Sequence, residues 1–396
     1  MKRAHSFISL LVILFASCSS ESDKKQDEPK SGQYPINIDV ANAEWFEGDF
    51  HELIEDVYYV ALDTQMEALF AEKTKLLFSE NKIIVFDRRL QQVVVFDEDG
   101  DFLFKIHRPG EGPGEYMGLW TIAYDEEFDE YILAAMDKVL WYNGTGDFIK
   151  EKKSPYVNIG DMASLNNRQL ATFFDLSYSG DSSIRAAIVD SELNTLGRYL
   201  PFPNDVRIEN ITGFYSHFSA GKQPLATGVY WSEILRFTAD SAYAEYFVDF
   251  GKDALPDDFM DTYLMDQSYN AQAVRDVMAE KNYWSIYGGA ANETKDHVLF
   301  ICTNRKEYNQ ALYNKKTGEV LTFNANLDEP SNKNAYVYFQ TTFNNYFVVQ
   351  GKSSFLLELY GLLNPNADVE AVEEAIENEV PVLWFVKFKD SHSQND

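Results

Sequence analysis

The chain has 396 residues, with 63 acidic and 34 basic side chains and a formal net charge of −29 at pH 7. Nucleic-acid binding needs a cationic footprint, and the sequence contains no such cluster of Lys and Arg. The same deficit argues against charge-driven binding to anionic lipid headgroups. We therefore expect no nucleic-acid partner.

The first residues have the order of a signal peptide. Met1-Lys2-Arg3 is basic, and Phe7 to Ala16 is an almost unbroken apolar run of ten residues. A membrane-spanning helix needs about 20 apolar residues, so this run is too short to span. The pattern predicts a signal peptide over residues 1–17 rather than a buried core helix.

A cysteine follows the apolar run. Phe15-Ala16-Ser17-Cys18 resembles the lipobox of bacterial lipoproteins, in which the cysteine is lipidated; the alternative is an ordinary cleavage site with an incidental cysteine. The one other cysteine, Cys302, lies in an apolar strand and is expected to be a small core residue. A lipidated Cys18 leaves Cys302 without a disulfide partner. We predict lipidation at Cys18 and a membrane contact through this anchor.

Residues 18–33 are rich in Ser, Asp, Glu, Lys and Gln, a composition that predicts a disordered tether. Its acidic residues resemble the export signal of surface lipoproteins in Bacteroidetes; they are Glu21, Asp23, Asp27 and Glu28. We expect an outer-membrane lipoprotein. The sequence does not decide whether the protein faces the cell surface or the periplasm. We interpret residues 34–390 as the folded domain and residues 391–396 as a tail.

The folded part repeats one strand–turn–strand unit. Val93–Phe96 is followed by the turn Asp97–Gly100 and a second strand, and Val139–Tyr142 begins another copy. From Phe96 the copies recur at steps of 46, 47 and 48 residues. The equivalent strands of the later copies end at or near Val189, Phe237, Tyr313 and Phe388.

A period of about 40–50 residues made only of strands is typical of propeller blades. Six copies predict an all-β, six-bladed β-propeller with four-stranded blades. We expect the N-terminal segment, with strands at Tyr34–Val40 and Val57–Leu62, to complete the last blade and close the ring. Two short helical insertions, Pro256–Glu280 and Pro365–Glu379, are expected to pack on the propeller.

The segment Arg108–Tyr116, together with Val93–Gly100, looks like the NHL-type repeat. More closely, it is similar to the six-bladed propeller lipoproteins common in Bacteroidetes. That resemblance implies no firm activity. It suggests a ligand- or partner-binding propeller of the cell envelope, linked to glycan or nutrient uptake.

The glycine-rich run Gly110–Gly114 could be mistaken for a phosphate-binding loop. Such a loop needs a following helix and a basic residue, whereas Glu111 and Glu115 flank these glycines and a strand follows. We interpret the glycines as a turn between blades. We expect Arg108 to pair locally with Glu111 or Glu115.

Catalytic patterns are weak, so the chain is interpreted as more a binding protein than an enzyme. The six histidines have no metal-ligand spacing, and there is no Gly-x-Ser-x-Gly motif. No sequence pattern indicates or excludes a catalytic Ser/His/Asp triad or a pair of catalytic carboxylates. We therefore expect no cofactor. Some six-bladed propellers resemble calcium-dependent lactonases, so we keep as the alternative a calcium-dependent hydrolase with residues such as Asp161, Asn210 and Asn292.

Propeller ligands usually meet the loops at one face. The candidate ligand contacts are the residues near such loops, each weighed against a role in the core: Arg108, Trp120, Trp231, Trp284 and Tyr287. Ordered aromatics around one open face would favour a glycan, and a broad apolar patch would favour an envelope protein partner. A ring of channel carboxylates would favour the hydrolase.

Overall fold

The computed structural model describes residues 35–390, apart from residues 49, 72–74, 157–158, 175–183, 202–217, 229, 265–270, 288–290, 325–338 and 352. The predicted signal peptide, Cys18, the tether, Asn210 and the tail at 391–396 lie outside the described residues.

Three strands come before the first blade: β1 (Ile36–Asp39), β2 (Glu44–Trp45) and β3 (Ile54–Ala61). The next three sheets are regular four-stranded antiparallel blades. Blade one contains β4 (Lys75–Ser79), β5 (Lys82–Asp87), β6 (Gln92–Asp97) and β7 (Phe102–Ile106). Blade two contains β8 (Leu119–Asp125), β9 (Glu130–Ala135), β10 (Lys138–Asn143) and β11 (Phe148–Lys153). Blade three contains β12 (Ile159–Leu165), β13 (Gln169–Phe174), β14 (Ile184–Val189) and β15 (Thr195–Pro201).

The other three blades are less regular. Blade four contains β16 (Leu225–Ala226), β17 (Glu233–Phe237) and β18 (Ala242–Asp249), and Phe218 bridges to Ala226 on the inner side. Blade five contains β19 (Ser285–Ile286), β20 (Asn292–Glu293), β21 (His297–Thr303), β22 (Tyr308–Asn314) and β23 (Val320–Asn324). Blade six contains β24 (Thr341–Phe343), β25 (Tyr346–Gln350) and β26 (Val382–Phe388).

The fold is a six-bladed β-propeller, as the repeat predicts. Each sequence copy is the third strand of a blade: β6, β10, β14, β17, β22 and β26. The N-terminal strand β3 pairs antiparallel with β26 and completes blade six, which confirms the predicted closure. The expectation is wrong for the segment at Tyr34–Val40. There β1 pairs in parallel with β18 of blade four, and β2 pairs in parallel with β23 of blade five.

Strand periodicity explains why the blades stack. Side chains alternate between the two faces of a strand, and β6 is apolar on both. Val93 and Val95 belong to the apolar cluster shared with blade two, whereas Val94 and Phe96 belong to the cluster shared with blade six. Full burial of a Val or Phe side chain stabilises the fold by about 1.5–3 kcal/mol. Each blade therefore depends on both neighbours for its core.

Helices occur only in two insertions of the described chain. The first has a 3₁₀ turn at Gly251–Asp253, a π-helical turn at Met260–Leu264 and helix α1 (Ala271–Lys281). The second, between β25 and β26, has α2 (Ser354–Leu363) and α3 (Val369–Glu377). Short 3₁₀ turns lie at Phe50–Leu53, Met66–Ala68 and Asn166–Arg168.

The second insertion begins earlier than predicted, because α2 precedes Pro365. The run Ser354–Leu363 is apolar around most of its circumference, so it lacks the narrow stripe that marks a surface helix. Ser353 caps α2 by accepting a hydrogen bond from Leu356 N at 3.1 Å. Leu356 of α2 and Val372 of α3 are buried against blade six, which confirms that this insertion packs on the propeller.

The glycine-rich run forms the turn between blades one and two. Gly114 has φ +72°, and a Cβ there would lie 2.7 Å from the Phe148 ring. Glu115 accepts a hydrogen bond from Gly112 N at 2.9 Å, and Arg108 instead donates to the carbonyl of Gly146 at 3.4 Å. The expected ion pair of Arg108 with Glu111 or Glu115 is therefore wrong, because Glu115 folds back on its own loop.

A buried ion pair joins the inner strands of blades one to three. Lys75 Nζ donates to Asp161 Oδ1 at 2.5 Å, and to the carbonyls of Met162 at 2.6 Å and Ile122 at 3.0 Å. The Phe218 amide donates to the second carboxylate oxygen of Asp161 at 2.9 Å. These bonds fasten adjacent blades together near the axis.

Among the described helices, none has both the length and the apolar character needed to cross a bilayer.

Candidate binding site on the loop face

The antiparallel order of the strands places two sets of connections at the same end of the blades. These are the connections between blades and those between the second and third strands of each blade. We call this end the loop face. Both helical insertions lie there, after β18 and between β25 and β26. Loops held by a rigid scaffold are the usual location of binding residues.

An arginine lies over two tyrosine rings where blades four and five meet on the loop face. The Arg305 guanidinium is 5.5 Å from the ring centroid of Tyr230 and 5.6 Å from that of Tyr287. The ring of Tyr308 meets Tyr287 edge-on at 5.2 Å. We call Tyr230, Tyr287, Arg305 and Tyr308 the arginine–tyrosine cluster.

The guanidinium of Arg305 has no hydrogen bond and no ion pair with any described residue, and its buried Nε is unpaired. The contrast with Arg236 in the same pair of blades is sharp. Arg236 forms a two-pronged pair with Glu293 at 2.8 and 2.9 Å. Arg305 therefore keeps its hydrogen-bond donors for something other than the described chain.

The cluster is held by local bonds rather than by its own ring contacts alone. The backbone amide of Arg305 donates to Thr303 Oγ1 at 2.8 Å, and Asn304 donates from its side chain to Asn282 at 2.9 Å. Arg305 and Tyr230 both have left-handed backbones, with φ of +72° and +70°. Such conformations cost free energy in residues other than glycine and occur often at functional sites.

The chemistry of the cluster suits a planar anion on a ring-shaped molecule. A guanidinium presents parallel N–H donors that match the two oxygens of a carboxylate. The half-buried rings of Tyr287 and Tyr308 offer apolar faces with a polar end. Together these groups could bind a molecule with both a carboxylate and a flat apolar face.

Two of the candidate contacts from the sequence lie at or beside the cluster. Tyr287 is part of it, and Trp231 follows Tyr230 and packs 6.3 Å from the ring of Phe173. Trp284 instead packs on the apolar core of blades four and five. No pattern in the sequence marks Arg305, because an arginine in a short turn is ordinary until its neighbours are known.

Arg108 and Trp120 lie in another part of the propeller, at blades one and two. Arg108 lies over the ring of Tyr142 at 5.9 Å, and Arg88 lies over the ring of Trp120 at 4.4 Å. The five candidate residues therefore do not form one site. Ligand binding by Arg108 and Trp120 stays a prediction.

An apolar patch surrounds this second region of the loop face. Gln92 Nε2 donates to the Leu69 carbonyl at 2.8 Å, and a Cβ on Gly118 would lie 3.5 Å from Met136 Cε, so neighbouring loops are in contact. Five large apolar side chains, each at least 42% exposed, lie on these loops: Met66, Leu69, Leu90, Met117 and Met136. We call these five residues the methionine patch.

The described residues contain no group of three or more His, Cys, Asp or Glu side chains placed to hold a metal ion. The carboxylate of Asp161 is bonded to the Lys75 ammonium, and the Asn292 side chain donates to the Phe339 carbonyl at 2.6 Å. These two residues therefore do not fit a shared calcium site. A calcium-dependent activity stays a prediction.

Comparison with known proteins gives a family. The family described as a domain of unknown function, DUF4934, matches residues 35–395. The chain belongs to this family. The search of curated proteins found no match.

One solved structure shows the same fold. A Bacteroides fragilis protein described as exported is 18% identical, with a TM-score of 0.68 over 90% of this chain and 100% of that chain. A Bacteroides vulgatus protein of the duf4221 family is 11% identical, with a TM-score of 0.47 over 85% and 97% of the two chains. At such identity the first similarity extends to the fold alone.

Proposed function

We propose that this DUF4934 protein is a lipid-anchored binding propeller of the cell envelope that takes a carboxylate-bearing saccharide at the arginine–tyrosine cluster. The observation that carries this proposal is the Arg305 guanidinium, which lies over two tyrosine rings and has no hydrogen-bond or ion-pair partner among the described residues. A sugar acid would supply the carboxylate to Arg305 and an apolar ring face to Tyr287 or Tyr308.

The negative charge of the chain does not oppose this ligand at short range. The net charge of −29 repels anions at a distance, but salt limits that repulsion to about 8 Å at physiological ionic strength. At hydrogen-bond distance, a charge-assisted pair with a half-buried guanidinium dominates. Arg305 thus selects for a carboxylate where the rest of the surface selects against one.

The expected ligand class is tested by a thermal-shift titration of the chain from Ser19 onward. Oligogalacturonates should raise the melting temperature with concentration, because a ligand of the native state stabilises it. Neutral galactose oligomers of the same length should give a much smaller shift. An equal shift with both would contradict the role of the carboxylate.

The envelope location rests on the signal-like start, the lipobox resemblance at Cys18 and the exported description of the Bacteroides fragilis relative. Cys18→Ser should move the protein from the membrane fraction to the soluble fraction. Cys302→Ser is the matched control and should leave it with the membrane. Membrane association that survives Cys18→Ser would rule out the anchor.

The methionine patch supports a second candidate function, the docking of an envelope protein. Exposed apolar patches mark interaction sites, and methionine adapts well to a partner surface. A photo-crosslinker at Met117 should give one defined protein adduct in cells. The substitution Met136→Lys should abolish that adduct. A crosslinker at Thr145, in a tight turn of blade two, is the control. Adducts that are the same at both positions would count against docking.

A further inference from the structure

A cavity of about 350 Å³ lies beneath the N-terminal segment of the chain, at the end of strands β21 and β22 opposite to the arginine–tyrosine cluster. The segment at residues 39–44, which we call the strap, forms one side. The other side is formed by the strand ends of blade five and by Leu53 and Lys389 at the closure of blade six. Its size lies at the lower end of the range for small-molecule sites, roughly 300–1,000 Å³.

The strap is fastened at both ends. The Ala41 amide donates to the Asp249 carbonyl at 3.0 Å, and the Phe46 amide donates to the Thr322 carbonyl at 2.9 Å. The strap contributes Asp39, Asn42, Ala43 and Glu44 to the cavity wall. The hydrogen-bonded strap therefore forms one fixed wall of the cavity, and the strands of blade five form another.

The polar groups in the wall are mostly acceptors. The carboxylate of Asp39 accepts hydrogen bonds from Asn42 at 2.9 to 3.2 Å, and that of Glu319 accepts one from Thr317 at 3.0 Å. Neither has an ion pair within the described chain. The cation in the wall, Lys389, already donates to the Glu52 carbonyl at 2.8 Å.

A buried histidine adds no positive charge to the wall. His297 is 3% exposed and lines the cavity. Burial lowers the pKa of its imidazole from 6.5, against the opposing effect of Asp296 and Asp390, so the ring is neutral at pH 7. Leu312 and Leu321 supply an apolar wall beside these groups.

We propose that this cavity binds a small amphiphilic amine. The ammonium would donate to Asp39 and Glu319, and the apolar body would pack on Leu312 and Leu321. Charge complementarity selects the cation, since the carboxylates of Asp39 and Glu319 have no ion pair within the described chain. The site is separate from the proposed saccharide site and does not depend on it.

Calorimetric titration with 2-phenylethylamine, using 2-phenylethanol as the uncharged match, tests the ligand class. The amine should bind at least tenfold more tightly than the alcohol. The double variant Asp39→Asn/Glu319→Gln should lose at least tenfold in amine affinity, whereas Arg305→Gln should leave it unchanged. Equal binding of amine and alcohol, or an unchanged affinity in the double variant, would overturn the proposal.

A second variant and a local readout guard against misfolding of the double variant. Ala43 lies on the half-exposed strap, and in Ala43→Phe the larger side chain should fill part of the cavity and abolish amine binding. The melting temperature without ligand should stay close to that of the wild type. In the wild type the amine should slow hydrogen exchange at residues 36–45. Full amine affinity in Ala43→Phe, or exchange in the strap that the amine does not change, would place the ligand elsewhere.

Discussion

Removing the buried lysine of the inner strands should destabilise the whole propeller. Lys75 and Asp161 form a pair whose side chains are 7% and 1% exposed. In Lys75→Met the carboxylate would keep the bonds from Thr121 and the Phe218 amide, but it would lose the ion pair with the Lys75 ammonium. Breaking a buried pair from one side typically costs about 3–5 kcal/mol. Because the remaining hydrogen bonds still solvate Asp161, we expect the lower end, about 3 kcal/mol.

The matched control is an ion pair of similar length on the surface. Lys387 Nζ lies 2.6 Å from Glu55, and the two side chains are 26% and 45% exposed. An exposed pair contributes about 0–1 kcal/mol, so Lys387→Met should have little effect. The double variant Lys75→Met/Asp161→Asn removes the stranded charge and should recover at least half of the loss.

Equilibrium unfolding in urea measures all three variants. The expected order of stability is Lys387→Met close to the wild type, then the double variant, then Lys75→Met. If Lys75→Met is no less stable than Lys387→Met, the inner ion pair does not stabilise the ring. If the double variant is less stable than Lys75→Met, the charge left on Asp161 is not the cause of the loss.

Three further predictions concern other parts of the propeller. Gly114→Ala should cost about 2 kcal/mol or more in urea unfolding, because its Cβ would meet Phe148 at 2.7 Å in a left-handed backbone. In a chain starting at Ser19, Cys302 should react with a thiol reagent at pH 8 only after unfolding, since burial raises its pKa to about 12. Burial opposes the ionisation of Glu293, but bonds from Arg236 and Lys315 outweigh it and hold the pKa below the usual 4.5. Glu293→Gln should therefore lower stability by about 3 kcal/mol at pH 7, and this difference should shrink as the pH falls below 4.5.

Each of these predictions has a control. Gly318→Ala has a similar φ of +78° with no atom within 4 Å of the added Cβ, so it should cost less than Gly114→Ala. Rapid labelling of Cys302 in the native state would show that it is not buried. A Glu293→Gln difference that grows on acidification would reverse the sign of the linkage, because a group with a lowered pKa stabilises the fold only when it is ionised.

The repeat could be predicted because its signal is local. Each third strand, such as β6 or β22, is a short apolar run followed directly by a turn, so the sequence alone marks it. The positions of β1 and β2 could not be predicted in this way. They pair with β18 and β23, which lie 210 and 277 residues away, and two-residue strands such as β2 carry no periodicity.

The candidate site was only partly predictable for a similar reason. Tyr287 stands out as an aromatic residue before Gly288-Gly289. Arg305 can be recognised as a candidate only when the fold brings it within 6 Å of the ring centroids of both Tyr230 and Tyr287. An arginine without a hydrogen-bond or ion-pair partner is informative, but whether a partner is present can be judged only from the three-dimensional structure.

The most direct test of the proposed function is calorimetric titration of trigalacturonate into the wild type and Arg305→Gln. We predict binding of one trisaccharide per chain to the wild type, and at least a tenfold loss of affinity in Arg305→Gln. The control is Arg89→Gln, at an exposed arginine on the loop face of blade one, which should bind like the wild type. The same affinity in the wild type and Arg305→Gln would contradict a saccharide site built on Arg305.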